Sequence, residues 1–299
     1  MDWVVTAVGA VLVAAILRDV FHTLWHPTRH GGLSRLVMTA FWRFNRTLNL
    51  RRRTAAGLAG PLGMVTVVAL WAAVVGVGWA LIYWPHMPDA FSYSSGLEPA
   101  EHAGPLDALY VSLVTVATLG LGDIAPIDGW LRVLAPVEAL VGFALLTATV
   151  SWVLGIYPAL ARRRALALRL SHLARTRPTG EGFDSPSGAA LLDGLAAGFC
   201  VTSVDFLQYA ESYYFSDGAP HTTLARQVPY AARLAAAAGR ARDPDVRMAG
   251  GALRAALDDL AAVLDEQFLR TGRPPDRVFE AFAEDHGRRG GRQAAPETL

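Results

Sequence analysis

The sequence predicts an all-α membrane protein with three transmembrane helices. A short re-entrant helix lies between the second and third, and an α-helical domain follows at the C-terminal end. Three observations carry that prediction. Of 299 residues, 53% are hydrophobic and only 18% are charged, with a mean hydropathy of +0.29, whereas soluble domains carry about a quarter charged residues. Three separate stretches are apolar over the roughly 20 residues a helix needs to cross about 30 Å of hydrocarbon. The arginines alternate between the connecting segments with one consistent sense. The net charge of +1 excludes the overall basic character of a nucleic-acid partner. The single Cys200 excludes an intramolecular disulfide framework and a multi-cysteine zinc site.

The first element, residues 1–27, is apolar from Trp3 to Leu17 before Arg18 and Asp19 interrupt it. A signal peptide would need a positive leading region and a small-residue cleavage site; the segment has neither, and it reads as an N-terminal anchor helix. His22, His26 and His30 follow at intervals of four. Membrane-bound di-iron enzymes use such pairs, but they need several histidine boxes and no second one occurs here. Pro27 also breaks the helix before His30, so a polar cluster at the membrane edge is the simpler reading. The chain is not read as an enzyme, and no resident cofactor or metal is expected.

Residues 28–60 form a basic linker with seven Arg and no acid. Within it, 33–50 places Leu33, Leu36, Val37, Ala40, Phe41, Phe44 and Leu48 at helical spacing, with Arg35, Arg43 and Arg46 elsewhere on the wheel. Such a helix suits a membrane surface bearing anionic lipid. The same periodicity would also let it pack on a neighbouring soluble domain.

The second span, 61–84, has no charged residue and ends in the interfacial pair Tyr83-Trp84. From 85 to 128 there are six acids and no Arg. Inside that loop, 105–117 opens with Pro105, has Asp107 in its first turn and continues apolar to Ala117. This helix is too short to span, and an irregular stretch, 118–123, follows it. Non-helical backbone at membrane depth persists where it lines a water-filled path or is buried in protein. The third span, 129–157, is followed by Arg162-Arg163-Arg164. The positive-inside rule then puts 28–60 and everything after 158 in the cytoplasm, and 85–128 outside. The expected location is a cell membrane, multi-pass, with the C-terminus cytoplasmic.

The irregular stretch reads Thr118-Leu119-Gly120-Leu121-Gly122-Asp123. A span, a short helix, T-x-G-x-G-D and a second span together resemble the pore-loop potassium channels, over residues 61–158. The resemblance implies a pore helix at 105–117, a selectivity filter at 118–123, an outer helix at 61–84 and an inner helix at 129–157. It implies that the carbonyls of Thr118, Leu119, Gly120 and Leu121 hold dehydrated K⁺, the permeant ion, with Asp123 at the outer mouth. Inward-facing carbonyls demand alternating backbone conformations that a Cβ would obstruct, which suits Gly120 and Gly122. One chain supplies one loop, so the resemblance also implies a homotetramer.

Some positions depart from the family. Leu121 replaces the usual aromatic, the surrounding cuff position Val111 is aliphatic, and Val114 replaces an acid found in some members. A cation channel of weak selectivity is therefore the alternative to a K⁺-selective one, and a membrane-anchored sensor or scaffold a more distant one. In the third span, Glu138 and Gly142 also resemble the inner helix of the family. They read as a carboxylate behind the filter and a gating glycine, or else as an acid satisfied by a neighbouring helix and a glycine for close packing.

Residues 159–184 read as a basic linker, 185–285 as a helical cytoplasmic domain and 286–299 as a polar tail. Leu191, Leu195, Phe199, Thr202 and Phe206 form one apolar stripe; Leu224 to Ala238 suggests a second helix; Leu253, Leu257, Leu260, Leu264 and Phe268 form another stripe after Asp243-Pro244. No glycine-rich nucleotide fingerprint occurs. The domain reads as a module for assembly or gating, with an unidentified cytoplasmic ligand as a possible partner. Asp193, Asp205 and Glu211 read as solvated helix faces rather than ligands. A voltage sensor needs several arginines within one span, and the first span has only Arg18.

Overall fold

A computed structural model describes residues 2–24, 32–47, 53–177 and 183–286. His26, Pro27, His30, the break at 178–182 and the tail from 287 onward lie outside the described residues. The chain divides into two compact units, Met1–Ala40 with Leu62–Leu154, and Phe41–Pro61 with Gly155–Leu299.

The first unit is built on α1 (Asp2–Leu24), the start of α2 (Gly32–Thr47), most of α3 (Arg53–Tyr83), α4 (Pro105–Val116) and the first half of α5 (Gly129–Thr176). Two three-residue strands, β1 (Phe91–Tyr93) and β2 (Ile124–Pro126), pair antiparallel with Tyr93 opposite Ile124. α1 and α3 cross where two glycines meet. A Cβ at Gly9 would overlap the Gly78 carbonyl, and one at Gly78 would lie 2.8 Å from Val13 Cγ2. Small residues at such a crossing let two backbones approach in an apolar medium that offers no hydrophobic drive. Val13, Ile16 and Val20 continue the buried stripe of α1.

In α2, Leu36 is exposed, while Ser34 and Met38 are buried. Ser34 Oγ lies 3.1 Å from Thr23 Oγ1 of α1, and Met38 packs against Gly63 of α3. α2 is therefore held through Ser34 and Met38, while Leu36 of its apolar stripe is left exposed.

Two helices run further than their apolar cores predict. α3 begins at Arg53, so Pro61 sits inside it. α5 continues through Pro158 to Thr176, 48 residues in all, or about 72 Å at 1.5 Å per residue. The stretch expected as a linker from 159 is thus helical through Thr176. Proline removes one backbone hydrogen bond and need not end a helix whose flanking turns are held. Here Leu160, Leu166, Ala167 and Leu170 are buried, so tertiary packing holds the turns beyond Pro158.

The second unit contains α6 (Pro186–Gln208), a 3₁₀ turn at Ala210–Tyr214, α7 (Leu224–Ala238), α8 (Pro244–Leu264), a π turn at Asp265–Leu269 and α9 (Pro275–Asp285). α6 packs along α8, with Leu192, Leu195, Phe199 and Phe206 from α6 and Leu253, Leu257, Leu260 and Leu264 from α8 in one core. Caps set the helix starts: Ser185 accepts from the Gly188 amide at 3.3 Å, and Asp243 from the Asp245 amide at 2.8 Å. The expected helices over 224–238 and after Asp243 are found where the periodicity put them.

Four described helices are long and apolar enough to cross a membrane, α1, α3, α5 and α6. α6 was expected only as a domain helix, and its buried face is taken up by the helical core. Asp205 and Glu211 are buried, which corrects their reading as solvated positions. Asp205 receives Arg162 Nη2 at 2.5 Å. Arg163, 3% exposed, bonds Asp217, also 3% exposed, at 2.6 Å, and it donates to the Ser212 and Phe215 carbonyls at 2.9 and 3.0 Å. The arginine cluster that marks a membrane boundary in the sequence is thus also tied into the helical unit. In the same unit, Trp42 of α2 donates to Asp285 Oδ2 at 3.0 Å, and Tyr213 donates to the same oxygen at 2.7 Å.

Candidate functional site

The re-entrant segment starts where the sequence places it. Proline occupies the first turn of α4, and Asp107 turns back to accept the Gly104 amide at 3.1 Å. α4 is buried on the side of Ala108, Val111 and Ser112. The chain leaves its C-terminal end through the Ala117 amide, which donates to the Leu113 carbonyl at 3.0 Å.

Beyond that point the backbone alternates. Thr118, Gly120 and Gly122 have φ of 58°, 56° and 76°, while Leu119 and Leu121 are not left-handed. A β-branched residue in the left-handed region is strained, and local hydrogen bonds hold Thr118 there. The Thr118 amide donates to the Thr115 carbonyl at 2.8 Å; the Leu119 and Gly120 amides reach the Val114 carbonyl at 2.9 and 3.5 Å. The amides of Thr118, Leu119 and Gly120 are therefore turned toward the end of α4. Leu119 and Leu121 are 65% and 61% exposed, so their side chains fill no core of this chain.

The far limb is held by the small sheet. The Asp123 carbonyl accepts from the Ser94 amide at 2.8 Å, extending the β1–β2 pairing. The Asp123 carboxylate accepts from the Tyr110 hydroxyl of α4 at 2.6 Å. Val114 offers no carboxyl partner to Asp123, as the sequence implied, and Tyr110 supplies a partner instead. Tyr93 donates to the His102 carbonyl at 3.1 Å, and His102 Nδ1 lies 3.2 Å from Asp107 Oδ1. Burial, together with the neighbouring Asp107 charge, raises the Tyr93 hydroxyl above its ordinary value.

Both α5 residues singled out from the sequence meet α4. Glu138 is fully buried. One of its oxygens accepts from Ser112 at 2.6 Å, and the other from Tyr83 at 2.5 Å. Ser112 also lies 2.9 Å from the Gly76 carbonyl. A buried carboxylate needs its lone pairs satisfied, and these two hydroxyls do so from α4 and α3. Gly142 lies against the end of the same short helix, where a Cβ would overlap the Val116 carbonyl.

Sequence reasoning missed three of these groups. Tyr83 reads as an interfacial aromatic, while Ser112 and Tyr110 read only as polar breaks in an apolar helix. The available signal was the acid itself: Glu138 in an apolar span requires donors, and the nearby hydroxyls are the natural supply.

Residues 64–156 match the family model described as "Ion channel". The chain is 27% identical over 165 residues, 54% of its length, to the uncharacterized membrane protein YdjJ of Bacillus subtilis (strain 168), where the match covers 47% of that protein. It is 44% identical over 55 residues, 17% of its length, to two-pore potassium channel 5 of Arabidopsis thaliana, covering 14% of that protein. The chain thus spans about half the length of the first relative and a small part of the second. No solved structure matches it significantly. The matched residues contain most of α3, all of α4, the alternating stretch and the first half of α5. The segment 64–156 of this multi-pass, all-α membrane protein is therefore similar to the ion-channel family.

Proposed function

We propose that this protein is a homotetrameric K⁺ channel whose filter is Thr118-Leu119-Gly120-Leu121-Gly122-Asp123. The observation that carries the reading is the left-handed alternation at Thr118, Gly120 and Gly122, with amides held by the end of α4. Backbone arranged in this way leaves a row of carbonyls available to replace the hydration shell of a cation. The carbonyl end of α4 carries the negative pole of its dipole, which favours a cation nearby. Similarity to a two-pore potassium channel of Arabidopsis supports the choice of ion.

Assembly is supported by what a single chain leaves uncovered. Val133, Val137, Leu140, Phe143, Leu146, Val150 and Leu154 are all exposed on α5. An apolar surface of that extent calls for lipid or further copies, and one filter loop is a quarter of a pore. In the membrane, the arginine distribution supports a cytoplasmic C-terminus and an external 85–128 loop. The amphipathic sequence of α2, with its exposed Leu36 and its arginines, suits an inner leaflet rich in anionic lipid. The gating stimulus would reach the pore through α5, which continues as one helix into the helical unit, where a cytoplasmic ligand would act.

A second reading, a cation channel of weak selectivity, rests on Leu121 and Val111. Neither side chain can hydrogen-bond a cuff around the filter.

The test is a bi-ionic recording on purified protein in planar bilayers, with K⁺ on one side and Na⁺ on the other. A reversal potential strongly favouring K⁺, lost together with the current in Gly120→Ala, supports the K⁺-selective reading. A reversal potential near zero with robust current selects the weakly selective one. A folded, assembled protein that carries no current under any tested gating condition overturns both.

A further inference from the structure

The helix α1 lies ahead of the ion-channel segment, and the pore reading gives it no task. Yet it reaches α5 at two levels, directly at one and through Trp71 of α3 at the other. At its start, Trp3 stacks on Trp130 of α5 with ring centroids 5.8 Å apart. His86 stands edge-on to both rings, at 5.5 and 5.0 Å, and lies 3.2 Å from Thr6 Oγ1. Near its other end, the Asp19 carboxylate accepts from Trp71 Nε1 of α3 at 2.9 Å. Trp71 is 1% exposed and packs on Trp152 of α5, with centroids 5.6 Å apart. Between these two levels, the Gly9–Gly78 crossing locks α1 to α3.

An acid within an apolar helix is expensive, and such residues mark functional positions by default. Asp19 is not needed to join α1 to α3, because the glycine crossing and the Val13, Ile16 and Val20 stripe already do that. What Asp19 adds is orientation: its carboxylate fixes the indole of Trp71, and that indole is the surface on which Trp152 rests. Trp130 and Trp152 are 22 residues apart on α5, about 33 Å along a helix. A helix fastened at two levels so far apart resists tilting about either one.

Resting on the channel reading above, we infer that Asp19 is a positioning residue of the gate: through Trp71 it holds Trp152 and restrains α5 from tilting open. Loss of the acceptor releases α5 without touching the filter.

Single-channel recording of the full chain tests this. Asp19→Leu and Trp71→Phe are each expected to raise the open-to-closed equilibrium constant at least fivefold. The double variant should go no further than either single one. Unitary conductance and bi-ionic reversal potential stay at wild-type values, which a general loosening of the pore would not allow. Asp19→Asn keeps an acceptor oxygen and restores wild-type gating. If Asp19→Leu does not assemble, Trp71→Phe removes only the donor while keeping an aromatic ring, and it carries the same expectation. Unchanged gating in Trp71→Phe, additive effects of the pair, or altered conductance overturns the inference while the channel reading stands. A wild-type protein that conducts neither ion overturns the channel reading and this inference with it.

Discussion

Ser112 on α4 and Glu138 on α5 are joined by a 2.6 Å hydrogen bond, and the second oxygen of the same carboxylate receives Tyr83 of α3. One buried acid thereby ties the re-entrant helix to both neighbouring spans. Replacing Glu138 by Leu strands the buried Tyr83 hydroxyl, at a cost of about 1–3 kcal/mol without a partner, while Ser112 keeps the Gly76 carbonyl at 2.9 Å. The thermal aggregation midpoint in detergent should therefore fall further for Glu138→Leu than for Tyr83→Phe or Ser112→Ala. Combining Glu138→Leu with Tyr83→Phe should recover part of the loss, since the phenol is then no longer stranded. A double variant that is less stable than Glu138→Leu would refute this account.

Tyr110 holds Asp123, at the end of the alternating stretch, through a 2.6 Å bond. This hydrogen bond to a charged group restrains the exit of the alternating stretch. Tyr110→Phe should leave the protein folded and assembled but make macroscopic K⁺ current decay faster after activation. Sustained current with wild-type kinetics would show that Asp123 is held adequately by the Ser94 contact alone.

Arg163 and Asp217 form a buried pair, further bonded to the Ser212 and Phe215 carbonyls. Removing one partner of a buried pair costs up to about 3–5 kcal/mol; here Arg164 Nε, 3.4 Å from Asp217, keeps part of the compensation. Arg163→Met should lower the melting temperature of the helical unit sharply. Arg163→Met with Asp217→Leu should be less damaging than Arg163→Met alone. Circular dichroism of the detergent-solubilised chain distinguishes the two outcomes.

His286 is enclosed by Trp42, Tyr213 and Phe282, with ring centroids 5.1, 4.5 and 4.6 Å away. Burial holds its imidazole below the ordinary value of 6.5, and Arg163 adds to that effect. The Tyr213 carbonyl and the Asp285 and Asp217 charges oppose it. Above 6.5 the folded and unfolded chains are both neutral at this position, so its contribution is flat. As pH falls below 6.5 the unfolded chain takes up the proton first, and stability drops until the folded value is passed. Urea unfolding of the C-terminal unit, followed between pH 7.5 and 5, should show that decline, and His286→Phe should flatten it. An equal slope in His286→Phe would assign the decline to other groups.

Much of the architecture was legible because the bilayer imposes one-dimensional rules. A run of apolar residues from Pro61 to Trp84 has few structural options in lipid, and α3 fills them. Pro105 and Asp107 announced α4 through local chemistry within one turn, and the left-handed backbone at Gly120 and Gly122 agrees with their lack of a Cβ. The helices α7 and α8 were read from periodicity alone. The small β1–β2 pair was not, since three-residue strands carry no pattern of their own and are held by a partner more than 30 residues away. The extent of α5 was missed for a related reason: Pro158 and the arginines look like an ending until the buried face of Leu166 and Leu170 is seen.

By itself, then, the sequence determined which segments are apolar enough to leave water, where the re-entrant helix starts, and which residues form the alternating stretch. Each of these depends on residues within a turn or two of one another. Only the tertiary structure decided who satisfies Glu138, that Tyr110 stands in for the missing acid beside Asp123, that Asp19 reaches Trp71, and that Arg163 is buried on Asp217. Those pairs are separated by 13 to 55 residues. A hydrophobic pattern records which face of a helix is covered; it holds no record of the side chain that covers it.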